Sequence, residues 1–391
     1  MFSDRTNWKL TRNRLTETLE EVRSSGARVL DLTISNPTRA GLRYDDAQLL
    51  QALSSPQAMD YDPQPKGLPS ARAAVAAYYE NAHGIHNLDF ERIILTTSTS
   101  EGYSFVFRLL CNPGDELLVP KPSYPLFEFL ADLQDVKLVP YPLIYDHGWQ
   151  IDFPTLQHAV TERTRGIVVV HPNNPTGSFV HSHEPEMLNS ISHDHGLALI
   201  ADEVFLDYTH DGALQKSFAA NADVLTFTLS GVSKISALPQ MKVAWIITSG
   251  PATEVEAAQS RLEVIADTYL SMNAPIQWAT ATMLEQRKDI QQQLLNRVLA
   301  NLKELDRQLA AQKICRRLEV EGGWYAVLRV PVTQSDEELA VALLHRKSVL
   351  VHPGHFYDFP SDGYLILSLI ASQDEFAEGI KRLLELISGN S

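Results

Sequence analysis

Residues 166–234 contain three segments in a fixed order: GIVVVHPNNPTG (166–177), LALIADEVFLDY (197–208) and VLTFTLSGVSK (224–234). Each opens with an apolar run of strand length and then reaches a polar residue, Asn174, Asp202 or Lys234. Runs this apolar read as strands buried on both faces, and therefore as neighbours in a parallel sheet. The carboxyl ends of such strands line up along one edge, where α/β proteins bind their ligands. An amide, a carboxylate and an amine are thereby predicted at the same edge.

Working outward, RIILTT (92–97), DELLVP (115–120) and VKLVPYPL (136–143) precede this core, and VAWIITSG (243–250) follows it. Seven apolar runs alternating with helical stretches predict an α/β fold whose large domain holds a mostly parallel seven-stranded sheet covered by helices. SARAAVAAYYENAHG (70–84) reads as a helix stopped by Gly84. Trp8 to Arg28 reads as an amphipathic helix on Leu10, Leu15, Leu19 and Val22. A helical region from about Thr253 to Gln312, interrupted near Pro275, leads out of the large domain. RLEVEGGWYAVLRVP (317–331), a helix near Glu337–Arg346, VLVHP (349–353) and YLILSLI (364–370) then predict a smaller α+β domain. The expected division is 44–264 for the large domain, with 1–43 and 265–391 forming the small one.

Composition narrows the function. With 44% hydrophobic and 21% charged residues, the 391-residue chain has the balance of a globular protein with a sizeable core. A net charge of −15 argues against nucleic-acid binding, which calls for a basic surface. The two cysteines, Cys111 and Cys315, form no CxxC and no metal-ligand spacing, which suits a reducing compartment and gives no sign of structural zinc. A polar amino-terminal stretch and the lack of a membrane-length apolar run make the cytoplasm the expected location. No GxGxxG or GxxxxGK follows a strand, which disfavours a nucleotide site.

The amide, carboxylate and lysine are the groups that a pyridoxal phosphate site needs. Lysine can form a Schiff base, a carboxylate can keep the pyridine nitrogen protonated, and an amide can donate to the ring oxygen. On chemistry alone Glu203 competes with Asp202 for the second role. TTSTSEGYS (96–104) supplies a small-residue turn at a helix start, a natural cradle for an anion.

The whole pattern, from YDPQPKGLPSAR (61–72) through NPTG (174–177), DEV (202–204) and SGVSK (230–234) to VHPG (351–354), resembles the fold-type I pyridoxal phosphate enzymes, specifically the class I/II aminotransferases. The resemblance implies that Lys234 is the Schiff-base lysine and proton shuttle. It also implies that Asp202 pairs with the pyridinium, Asn174 donates to the ring oxygen and Tyr124 stacks on the ring. Thr99, Ser100, Ser233 and Lys242 match phosphate-binding positions. Tyr61 matches a tyrosine that reaches the phosphate from a neighbouring subunit, which implies a homodimer with shared active sites.

Four positions depart from the family pattern. Phe205 stands where a second donor to the ring oxygen, a tyrosine, is usual. Gly231 replaces a serine three residues before the lysine, and Lys242 replaces an arginine eight residues after it. Ile366 replaces the arginine that clamps the substrate α-carboxylate. Arg39, with its loop neighbour Asn36 in SNPTRAG (35–41), is the first candidate to take over that clamp. Arg43, Lys66 and His355 follow, and Trp324 with Tyr325 are candidates for an apolar pocket wall. The implied activity is ping-pong transfer of an amino group from an amino acid or amine to a 2-oxo acid. A lyase, decarboxylase, racemase or synthase using the same cofactor, and a non-catalytic regulator, are the alternatives.

Overall fold

A computed structural model describes residues 1–8, 10–181 and 183–389. Its main element is an eight-stranded sheet in the spatial order Ile93–Thr96, Ala244–Ser249, Thr226–Gly231, Ala198–Asp202, Thr164–Val170, Glu116–Lys121, Lys137–Tyr145 and Trp149–Ile151. The five strands from Thr226–Gly231 to Lys137–Tyr145 are mutually parallel. Ala244–Ser249 runs against both of its neighbours, and Trp149–Ile151 runs against Lys137–Tyr145. All seven expected runs are strands. The eighth has only three residues, too few for a sequence pattern to mark.

Alternate side chains divide the sheet between two cores, as the period of two requires. Ile94, Val168, Ile200, Phe227 and Ile246 face the helices Thr99–Leu110 and Ala252–Tyr269. Their neighbours Ile93, Leu95, Trp245 and Ile247 pack on the opposite face against the helix Pro69–His83. Burying each such side chain is worth roughly 1.5–3 kcal/mol.

The smaller part holds a four-stranded antiparallel sheet in the order Arg316–Arg317, Tyr325–Arg329, Tyr364–Ser368, His352–Pro353. A parallel pair, Leu30–Asp31 with Val349–Leu350, ties the amino-terminal segment to the carboxyl-terminal one. The helix Asp336–Lys347 carries a full capping box between Ser335 and Glu338.

One expectation is corrected and another holds. The first helix spans only Arg14–Ser24, because the Asn13 side chain caps it by accepting from the Thr16 N–H at 2.8 Å. Leu10 is exposed, and Lys9 of that stretch lies outside the described residues. The long helical region is three helices, Ala252–Tyr269, Ala274–Glu285 and Arg287–Leu309. The expected interruption near Pro275 falls at residues 270–273, and Pro275 itself lies in the first turn of the second helix, where its missing N–H has no partner to lose. That second helix packs on the helices Asp46–Leu53 and Pro69–His83 and brings Ala279 and Met283 into the same core as Trp245 and Ile247. Among the described residues no helix is long and apolar enough to cross a membrane.

Candidate active site

The three central strands end at one edge: Val170 and Asp202 are paired at their ends, and the third strand runs on from Leu229, the partner of Asp202, to Gly231. Beyond their ends opens a cleft of about 350 Å3. Asn174, Asp202 and Lys234 all line it, together with Thr99, Ser100, Tyr124, Phe205 and Ser233.

Asn174 is presented by a turn that the chain closes on itself. Asn173 N–H donates to the Ser178 carbonyl, and Gly177 N–H donates to the Asn173 carbonyl. Gly177 has φ +68°, and a Cβ there would collide with Val320 and the Gly322 carbonyl, so only glycine suits this turn. The Asn173 NH2 donates to the Pro122 carbonyl at 3.0 Å, whereas the Asn174 NH2 has no partner among the described residues, and the side-chain oxygens of both are buried without one. Asn173 therefore joins two loops, and Asn174 is left for a ligand.

Asp202 is buried at the strand end. Its carboxylate accepts from the Val204 N–H at 3.2 Å and from the Tyr103 hydroxyl at 3.0 Å. Burial pushes its pKa up to about 6, with those two donors and Lys234 opposing the rise. Glu203 points elsewhere: it accepts from the Ser217 hydroxyl and the Phe218 N–H, both at 2.6 Å, and does not line the cleft. Alternation along the strand therefore decides between the two acids.

Lys234 sits on the single turn Val232–Ile235, held from below by the Tyr208 hydroxyl, which donates to its carbonyl at 2.7 Å. Its Nζ lies 5.0 Å from the Trp324 ring centroid and 5.5 Å from that of Phe205. Burial pushes the ammonium down to about 8, against the pull of Asp202. Burial on an apolar shelf thus yields, against the pull of the nearby carboxylate, an amine that is partly neutral close to physiological pH.

The helix Thr99–Leu110 begins at the cleft. Ser98 caps it by accepting from the Glu101 N–H, and the Glu101 carboxylate accepts from the Thr97 N–H and hydroxyl. The first N–H groups of a helix have no partner within it and favour an anion. Thr99 and Ser100 carry two of them into the cleft. Ser98 and Tyr103 belong to this wall too; the sequence signalled only the turn that holds them. Gly231 is explained by contact, since a Cβ there would stand 2.7 Å from the Val243 carbonyl oxygen and 2.9 Å from Ala244 Cα. The strand that runs the other way passes too closely for a serine.

The remaining expected residues lie elsewhere. Lys242 is exposed and does not line the cleft, although its strand starts at the same edge. Tyr61 is 82% exposed and stands outside this chain's own cleft. Arg39 is exposed on a short turn that Asn36 caps by accepting from the Thr38 N–H and hydroxyl, so neither reaches the cleft. Arg43 lies away from it as well, its N–H and carbonyl both bonded to Gln293, and Lys66 is paired with Glu91 at 2.7 Å. His355 is exposed against Phe356. Trp324 is fully buried behind Lys234, and its neighbour Tyr325 lines the cleft instead. Ile366 is 1% exposed. Sequence reasoning missed Ser35, His352 and Tyr357, which also line the cleft, and no arginine does so among the described residues.

The sequence profile of the aminotransferase class I and II family matches residues 27–383. The chain is 29% identical to a glutamate-pyruvate aminotransferase of Haemophilus influenzae over 371 residues, covering 93% of this chain and 91% of that one. It is also 29% identical to an alanine aminotransferase of Mycobacterium tuberculosis, over 92% of this chain and 86% of the other. A crystal structure of an aminotransferase from Escherichia coli superposes with a TM-score of 0.89 at 26% identity, covering 100% of this chain and 98% of that one.

Proposed function

The chain belongs to the class I and II aminotransferases, and from that premise we propose that it works with pyridoxal phosphate, on an amino acid as donor and a 2-oxo acid as acceptor. Alanine with pyruvate and glutamate with its 2-oxo acid are the pairs to try first, given the activities for which the relatives are named. The observation that carries the reading is the convergence of Asn174, Asp202 and Lys234 with the Thr99–Ser100 helix start in one cleft. The fit to the cofactor is chemical. The Asn174 side chain at the cleft has an NH2 that can donate to a ring oxygen, a buried carboxylate suits a ring cation, and a helix start suits a phosphate.

When bound, the cofactor supplies an aldehyde that captures amines and a ring that accepts the electron pair released at the substrate carbon. Lys234 would hold the cofactor through its amine and, once displaced by substrate, carry the proton between the two reacting carbons. Asp202 would keep the ring nitrogen protonated, and the nitrogen's positive charge would in turn draw the carboxylate pKa back down. Asn174 donates to the ring oxygen, Tyr124 covers the ring face, and Thr99, Ser100 and Ser233 take the phosphate. Lys242 and, from a second copy of the chain, Tyr61 complete that cradle in our reading, which makes the enzyme a homodimer. Two free cysteines support action in the reducing cytoplasm.

The test is spectroscopic. Purified protein given pyridoxal phosphate should gain a visible absorbance band, and L-alanine or L-glutamate should bleach it while releasing the matching 2-oxo acid in stoichiometric amount. No band, or a band that amino acids leave unchanged, would overturn the proposal.

A further inference from the structure

The clamp arginine of the family pattern is replaced by Ile366, and none of the expected substitutes lines the cleft. The register of the small sheet shows what stands in its place. Ile366 is paired with Val327 on one side and with His352 on the other, and Tyr325 is paired with Ser368. Directly paired residues in an antiparallel sheet project to the same face, as do residues two apart along a strand. Tyr325, Ile366 and His352 therefore share one face, and both Tyr325 and His352 line the cleft. The imidazole is one strand away from the position a guanidinium would occupy, on the same side.

The ring is oriented for donation. His352 Nδ1 lies 3.1 Å from the Tyr357 hydroxyl, and Nε2 has no hydrogen-bond partner among the described residues. Tyr357 is deeply buried, and burial holds its phenol well above the ordinary range, so the hydroxyl keeps its proton and can donate to Nδ1. The neutral tautomer that results presents Nε2–H. Ser35 lines the same side, and its segment is anchored where the Ser368 hydroxyl donates to the Ile34 carbonyl. Asn174 lines the same cleft from the large domain. The nearby wall is apolar, with Leu126, Phe127 and Leu130.

Resting on the aminotransferase reading, we infer that His352 recognises the substrate carboxylate in this chain, with Ser35 and Asn174 as neutral donors, for amino acids with an apolar side chain. A single N–H donor is a weaker and less directional partner than a bidentate guanidinium. The site therefore holds its carboxylate more loosely than an arginine clamp would, and the apolar wall contributes more of the affinity.

The decisive experiment uses cofactor-loaded enzyme with two inert probes, 4-methylpentanoate and its neutral isostere 4-methylpentanamide, measured by calorimetric titration. The carboxylate should bind at least about tenfold more tightly than the amide, and His352→Phe should abolish that preference while His352→Gln retains part of it. In turnover, His352→Phe should raise KM for leucine by more than it lowers kcat, and should erase the preference for leucine over its decarboxylated amine. Equal binding of the two probes to the unaltered enzyme, or a preference untouched by His352→Phe, would overturn the inference. The two readings can fail separately. Amino transfer without carboxylate discrimination sinks only the role of His352, whereas discrimination without amino transfer sinks only the aminotransferase reading.

Discussion

One wall of the cleft is made of strand ends, and the other of a sheet face. On the first, Asn174, Asp202 and Lys234 lie at or just past the ends of three adjacent parallel strands, whose registers bring those ends to one edge. On the second, Tyr325 and His352 lie along a small antiparallel sheet, and Ser35 arrives from the opposite end of the chain. The first wall gathers charge: a carboxylate pushed up to about 6 and an ammonium pushed down to about 8. The second offers, among the described residues, hydroxyls and one imidazole. A cofactor common to many reactions can be held by a fixed backbone arrangement, whereas the substrate is met by a face on which single side chains can change without disturbing the sheet.

That contrast can be broken from its strong side first. Asp202→Asn keeps the shape but removes the charge that pairs with the ring nitrogen, and should lower the rate of amino transfer by about a hundredfold or more in single-turnover mixing. A loss of less than about fivefold would mean that the first wall is not the chemical one. Gly231→Ser restores the residue usual for the family, yet its side chain has no room beside Val243 and Ala244. It should destabilise the protein by about 1–3 kcal/mol, as overpacked sites do, measured as a lower thermal midpoint. Equal or higher stability would contradict the close approach of the two strands.

The amine of Lys234 gives a prediction in pH. A lysine with its pKa near 8 is mostly charged at pH 7 and mostly neutral at pH 9. Cofactor capture by the empty protein should accelerate by about tenfold across that interval, against about a hundredfold for a lysine at the ordinary value. Stopped-flow absorbance separates the two. The smallest effect concerns the second wall. Arg39→Ala should leave KM for every amino acid within about twofold, because Arg39 is exposed outside the cleft. A tenfold rise would return the clamp to Arg39 and remove the need for His352.

The legibility of the two walls in the sequence follows from the same difference. A parallel strand buried on both faces leaves a run such as GIVVV or VLTFTL, and the residue after it is fixed at the sheet edge by topology alone. Seven strands and the group of Asn174, Asp202 and Lys234 were readable for this reason. The choice of Asp202 over Glu203 needed the family pattern, and strand alternation agrees with it. The second wall depends on register between segments far apart in the chain. Nothing in VLVHP announces that His352 pairs with Ile366, and nothing in SNPTRAG tells that Ser35, rather than Arg39, turns toward the cleft.

The most direct measurement traps the cofactor on the chain. Protein loaded with pyridoxal phosphate is reduced with borohydride, digested and mapped by mass spectrometry. The account predicts a single pyridoxyl modification on Lys234, absent from Lys234→Ala. Label on another lysine, or none at all, would contradict it.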